Sequence, residues 1–166
     1  VPTVYAVPGS SVIGERAARA LVKKADSEGV EVVEIPGDSF LDLVYARVNI
    51  DPITNGVQIV DGRNLPDPLP PHLPTVITQV DNAWVLADVC TELGRVLPPE
   101  TEVIVLDAIG SSDERVEVSS LESVTGFDPG ARTTLFLDAQ QVGWHGLIVT
   151  NRLLRAECPW DREQTH

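Results

Sequence analysis

An α/β fold is predicted, and three features at the front of the chain predict it. Residues 4–7 (VYAV) form a short apolar run that stops at Pro8-Gly9, as a buried strand between turn signals does. A helical pattern follows, with Ile13, Ala17, Leu21 and Ala25 spaced four apart and Ala18 and Val22 beside them, which makes one apolar face. Residues 30–35 (VEVVEI) then read as a second strand that closes on another Pro-Gly turn, Pro36-Gly37. Strand, helix, strand is a βαβ unit, so the two strands are expected to be parallel with a right-handed crossover. Both Pro-Gly turns would then lie beyond the carboxyl ends of parallel strands, where open α/β sheets bind ligands. Ser10 or Ser11 is expected to cap the helix, Glu15 and Lys23-Lys24 suit its dipole, and Gly29 ends it.

The rest follows in order. Pro36-Gly37-Asp38-Ser39 opens a helix over 39–48 with Phe40, Leu41, Val44, Tyr45 and Val48 inward, stopped by Ile50-Asp51-Pro52. Residues 56–60 are a short strand. The stretch 61–74 carries Pro66, Pro68, Pro70, Pro71 and Pro74, which exclude helix and central strand and suggest an extended connection between subdomains. Residues 75–80 (TVITQV) read as a buried strand. Asn82 is placed to cap a helix through Leu97 with Leu86, Val89, Cys90, Leu93 and Leu97 inward. Residues 102–107 (EVIVLD) are a strand, 110–113 a turn, 115–119 (RVEVS) a half-exposed strand, 121–124 a helical turn and 133–138 (TTLFLD) the last clear strand. With one long helix among these strands, the second sheet is expected to be mixed or antiparallel. Gly143-Trp144-His145-Gly146 reads as a linker, and 147–157 as a helix whose Ile148, Leu153 and Leu154 need a partner.

Composition narrows the function. The 166 residues suit one domain with a tail, and 43 % apolar content with only 5 % aromatics implies a core of Val, Leu, Ile and Ala. A net charge of −13 argues against nucleic acid and anionic membrane as partners. No run approaches the roughly 20 apolar residues of a spanning helix. Two cysteines, Cys90 and Cys158, make neither a disulfide framework nor a zinc site, and a reduced, cytoplasmic protein is expected. The chain begins at Val1 and has no Met, so its natural start is expected to lie upstream.

Several stretches together resemble a known family. VYAVPGSSVIGER, VEVVEIPGDSFLD, IDP and GVQIVDG are similar, in order and spacing, to the tetrapyrrole (corrin and porphyrin) methylase-like domain of MazG-family fusion proteins. That likeness runs from Val4 to about Asp138, and LLRAECPWDREQTH resembles the opening of the MazG domain itself. The resemblance implies a tetrapyrrole methylase-like α/β fold: two α/β subdomains with a ligand cleft between them, N-terminally truncated. It implies residues 1–62 as the back of the first subdomain, 63–74 as the connection, 75–139 as the second subdomain, and 140–166 as a linker and the first MazG residues. The cofactor implied is S-adenosylmethionine. The family's Gly-Asp-Pro loop falls on Gly9-Ser10-Ser11 and its Pro-Gly-x-Ser/Thr turn on Pro36-Gly37-Asp38-Ser39. The implied contacts are Pro8, Gly9, Ser10, Ile13, Ser39 and Phe40, with Gln79, Val80, Asp107, Ala108, Thr133 and Thr134 on the adenosine side. A homodimer is also implied. Mg²⁺ would belong to glutamates of the MazG domain that this chain lacks.

Each motif also has a plainer reading. Pro8-Gly9-Ser10-Ser11 could hold an anion or cofactor through backbone N–H groups, or could be an ordinary turn with a serine cap. It is not a nucleophile elbow, because Pro8 and Val12 stand where that motif needs glycine. Asp107 could meet a ligand hydroxyl or simply form a turn. His72, His145 and His166 lack metal-ligand spacing. No residue has the context of a dedicated general base, so none is assigned as catalytic. The functional reading is an S-adenosylmethionine-binding methyltransferase-like domain of a MazG-type nucleoside triphosphate pyrophosphohydrolase. The alternative is a non-catalytic ligand-sensing or dimerisation module serving that hydrolase, motivated by Ser10, Ser11 and Asp38, which depart from the family pattern.

Overall fold

Residues 2–66, 73–138 and 143–164 are described by the structure, a computed structural model. The chain divides into two units, Val1–Arg47 and Val48–His166. The second holds one mixed five-stranded sheet. Its strands are β1 (Gln58–Asp61), β2 (Thr75–Thr78), β3 (Glu102–Asp107), β4 (Arg115–Ser120) and β5 (Thr133–Leu137), in spatial order β1-β2-β5-β3-β4. β1 and β2 are parallel; every other pair is antiparallel. The expectation of a mixed or antiparallel second sheet therefore holds.

Position in the sheet explains each strand's composition. β5 lies at the centre, and all five of its residues are buried, which is why TTLFL shows no polar–apolar alternation. β4 is an edge, and Val116 and Val118 on it remain exposed. Leu135 and Leu137 of β5 join Ile77, Val103 and Val105 in one core layer. Against that layer packs α4 (Ala83–Leu93) through Leu86, Val89, Cys90 and Leu93. Asn82 caps α4 as expected, its Oδ1 accepting from Trp84 N at 3.0 Å and Val85 N at 3.1 Å. The α-helix stops at Leu93 rather than Leu97, and a turn closed by Leu97 N donating to Leu93 O (2.8 Å) still delivers Leu97 to the core.

The proline-rich stretch does not separate two sheets. It joins β1 to β2, parallel neighbours in register from Gln58↔Thr75 to Asp61↔Thr78. A parallel pair needs a crossover rather than a tight turn. β1 thus belongs to the second of the two units, which begins at Val48. Residues 67–72, with Pro68, Pro70, Pro71 and His72, lie outside the described residues.

The first unit corrects the prediction most. It contains α1 (Arg16–Ser27), and α2 (Phe40–Val48) spans its end, but neither 4–7 nor 30–35 joins a sheet ladder. The expected parallel pairing of these two runs is absent. Their apolar groups stand in the open: Val4 is 90 % exposed and Ile35 83 %. An apolar run records a demand for cover, not a hydrogen-bonding partner, and a crossover helix can bring two strands into one layer without making them neighbours. α1 also begins later than predicted. Gly14 holds φ at 74°, which interrupts any helix started at Ser10, so Glu15 becomes the N-cap residue and neither serine caps α1. Its inward residues are Ala18, with Val22 and Ala25 half-buried, whereas Leu21 is exposed. Gly29 ends it as expected: at φ 68°, with Gly29 N donating to Asp26 O (3.2 Å) and Val30 N to Ala25 O (2.9 Å), it completes a Schellman turn.

The tail is helical from its first described residue. α5 (Gly143–Glu157) includes the four residues read as a linker, and α6 (Pro159–Glu163) follows. The apolar spacing of Trp144, Leu147 and Ile148 continues the helical pattern, and each glycine costs only about 1 kcal/mol against it. Residues 139–142 lie outside the described residues. Among the described residues, no helix is long and apolar enough to cross a membrane.

Candidate functional site

The candidate residues fall into one group in each unit. In the first unit the two Pro-Gly turns touch through their backbones. A Cβ built on Gly37 would meet Gly9 O at 2.4 Å and Gly9 C at 2.9 Å, and one on Gly9 would meet Asp38 O at 3.0 Å. Only glycine permits that approach, and Gly9 also holds φ at 81°. Arg19 of α1 fixes the arrangement. Its Nε donates to Ser11 O at 3.2 Å, and its Nη2 pairs with Glu34, which also accepts from Ser11 Oγ at 3.1 Å. The Arg19 and Ser11 hydrogen bonds hold the Glu34 carboxyl below the usual range. Ser10 Oγ accepts from Val12 N at 3.2 Å, turning the chain locally. Ser39 caps α2, its Oγ accepting from Leu41 N at 3.1 Å, and leaves Phe40 and Ile13 half-buried. Pro8 lies in the first turn.

In the second unit the remaining six candidates gather at one end of the sheet. β2 and β3 both run antiparallel to β5 and lie on either side of it. Their carboxyl ends therefore flank the amino end of β5. Gln79 and Val80 follow β2, Asp107 ends β3 with Ala108 after it, and Thr133 and Thr134 begin β5. Gln79 holds φ at 59° and Ala108 at 51°, so both flanking strands leave the ladder through a left-handed residue that is not glycine. Such strain persists only where the surroundings enforce it.

Thr133 joins this end together. Its Oγ1 donates to Asp107 Oδ1 (2.8 Å) and accepts from Gly130 N (2.8 Å), while its carbonyl accepts from Val80 N (3.3 Å). The other Asp107 oxygen accepts from Arg115 Nη2 (2.7 Å) and Nε (3.1 Å). Burial pushes the Asp107 carboxyl up, but the hydrogen bonds from Arg115 and Thr133 outweigh it, so the net shift is downward. Both carboxylate oxygens are thus engaged by the protein, which favours an organising role for Asp107 over direct contact with a ligand hydroxyl. Arg115 was missed by the residue reading. The hairpin register sets it opposite Asp107, a pairing that appears only once the two strands are laddered.

A pH dependence follows. With its folded value depressed, Asp107 binds fewer protons in the folded than in the unfolded chain. Its stabilisation is complete at neutral pH and lost as pH falls below about 4 through the folded value. Urea unfolding at stepped acidic pH should show this loss in the native chain, and a smaller acid-dependent part in Asp107→Asn. Equal acid slopes in the two proteins would remove Asp107 from the account.

An open cavity of about 500 Å³ lies elsewhere, against the 62–66 loop and α4, and is lined by Gly62, Leu65, Val85 and Asp88 among others. None of the predicted contacts lines it. Its arginines are already paired, Arg63 with Asp81 and Arg95 with Glu92. The strand-end cluster, not this cavity, has converging groups. Among the described residues, no group of three or more His, Cys, Asp or Glu gathers to hold a metal. Burial pushes the Cys90 thiol up to about 11, where it is inert.

The architecture is that of the tetrapyrrole methylases. The chain superposes on a crystal structure of diphthine synthase with a TM-score of 0.59 at 14 % identity, covering 86 % of this chain and 61 % of that one. It superposes on uroporphyrin-III C-methyltransferase from Thermus thermophilus, complexed with S-adenyl homocysteine, with a TM-score of 0.56 at 17 % identity, covering 78 % of this chain and 60 % of that one. In sequence it is 30 % identical over 173 aligned positions to the uncharacterized protein YabN of Bacillus subtilis (strain 168), covering 98 % of this chain and 35 % of YabN. The chain thus spans about a third of that relative and about three fifths of those structures. No family model matches it.

Proposed function

We propose that this chain is an S-adenosylmethionine-binding, methyltransferase-like domain. The observation that carries the reading is the convergence of Gln79, Val80, Asp107, Ala108, Thr133 and Thr134 at one sheet end, in a fold shared with methyltransferases. The fit is reasonable. The residues there are mostly small or β-branched, two strands leave the ladder sharply, and backbone groups beyond the ladder suit an adenosine's hydroxyls and ring nitrogens. Pro8, Gly9, Ser10, Ile13, Ser39 and Phe40 of the first unit are proposed as cofactor contacts on the resemblance described above. The cofactor would supply an activated methyl group. The protein's part would be to hold and orient, since positioning alone can account for much of such a rate.

Calorimetry with S-adenosylmethionine and S-adenosylhomocysteine tests the reading. Saturable, weak binding is expected, together with loss of binding in Thr133→Val, which keeps the shape but removes the hydroxyl that Asp107 and Gly130 share. Absence of binding by the native chain would sink the proposal.

The wider reading places the domain within a MazG-type nucleoside triphosphate pyrophosphohydrolase, on the likeness of LLRAECPWDREQTH. In that setting Mg²⁺ would belong to the hydrolase domain. A homodimer in the cytoplasm completes the proposal. The second reading, a sensing or dimerisation module without turnover, is favoured by Ser11, whose hydroxyl is committed to Glu34 rather than offered to a ligand. Binding without methyl transfer in a longer protein would select it.

A further inference from the structure

Arg115 is the first residue of the edge strand β4, about half exposed, and an isolated ion pair there would contribute little to stability. Its contacts nonetheless fall on Asp107 and on the residues that open segment 127–133. Besides gripping Asp107 with two donors, its Nη2 donates to Asp128 O at 3.2 Å, and its guanidinium carbon lies 4.5 Å from the centroid of the Phe127 ring. Asp107 in turn holds Thr133, and Thr133 holds Gly130 through Gly130 N to Oγ1 and Thr133 N to Gly130 O (3.1 Å). Gly130 packs so closely that a Cβ there would lie 3.2 Å from Asp107 Oδ1. The segment 127–133 is thus tied at its start by Arg115 and at its end by the carboxylate that Arg115 holds. A guanidinium suits this work because its planar fork serves a carboxylate, a carbonyl and a ring face together.

We infer that Arg115 is a positioning residue: acting through Asp107, it sets segment 127–133 over the ends of β3 and β5 and so shapes the adenosine-side contacts made by Ala108, Thr133 and Thr134. This rests on the cofactor reading proposed above. Arg115 itself touches no proposed contact other than Asp107, so its effect on binding is transmitted rather than direct.

The test uses the full chain with Arg115→Gln and Arg115→Lys, and S-adenosylhomocysteine as the probe. Calorimetry reads affinity, and site-resolved hydrogen exchange reads the amides of 127–133 against those of α4. Arg115→Gln is expected to weaken binding about tenfold, the equivalent of one charge-assisted hydrogen bond, and to speed exchange in 127–133 but not in α4. Arg115→Lys keeps the charge without the fork and should restore only part of the affinity, a graded rescue that also serves if the Gln variant folds poorly. Native affinity in both variants, with faster exchange, would overturn the link to the cofactor. Unchanged exchange would overturn the clamp. A native chain that binds no probe defeats the cofactor reading, and the link to binding with it, while the exchange measurement still decides whether the clamp exists.

Discussion

Gly37→Ala is expected to weaken binding of S-adenosylhomocysteine by roughly 10–100-fold, because overpacking into rigid surroundings costs about 1–3 kcal/mol. The methyl group would meet Gly9 O at 2.4 Å and Gly9 C at 2.9 Å. Both are backbone atoms, so no side chain can swing aside, and the two Pro-Gly turns must separate. Their separation would displace Gly9 and Ser10 on one side and Ser39 and Phe40 on the other, all four of them proposed contacts. A variant that binds like the native chain would show that the close approach of the turns has no part in binding. Gly9→Ala offers a comparison with a different cause: its Cβ would lie 3.0 Å from Asp38 O, and φ of 81° adds about 1–2 kcal/mol of backbone strain.

Leu135→Ala is expected to lower the stability of the second unit by about 3–5 kcal/mol, the upper part of the range for a leucine deleted from a fully buried site. Leu135 is 0 % exposed on the central strand, in the layer that receives α4. Strands on both sides and a helix above leave little room for collapse around the cavity. Against a total of about 5–15 kcal/mol for an ordinary domain, that loss brings the fold near its limit. Val118→Ala, on the exposed edge strand, should change stability by no more than about 0.5 kcal/mol. Urea midpoints of the two variants make the test. Similar small shifts in both would mean that the layer under α4 is not the core.

Recognition of elements in the second unit worked because its local and tertiary demands agree. EVIVLD is β3 from its first residue to its last, Asn82 caps α4, and the inward face from Leu86 to Leu97 is buried as its spacing indicates. In the first unit the same kind of signal misled. VYAV and VEVVEI have strand composition, yet a strand is defined by a ladder, and pairing depends on what lies beside a segment rather than on the segment. The onset of α1 was misplaced for a smaller reason. Ser10 and Ser11 are good capping residues, but Gly14 in the left-handed region breaks the chain after them.

The sequence by itself determined the α/β class, the positions of α2, α4 and the five strands of the sheet, and the stop at Gly29. These depend on periodicity, capping and backbone restriction, all of which act within a few residues. The tertiary structure alone decided that β5 lies between β2 and β3, that β1 joins the sheet across the proline-rich stretch, and that Gly37 rests on Gly9. It also decided that Asp107 serves Arg115 and Thr133. Each of these joins residues far apart in the chain, or selects one partner among several carboxylates and cations. Local spacing leaves such choices nearly equal in energy, and they are settled only when the sheet brings the strand ends together.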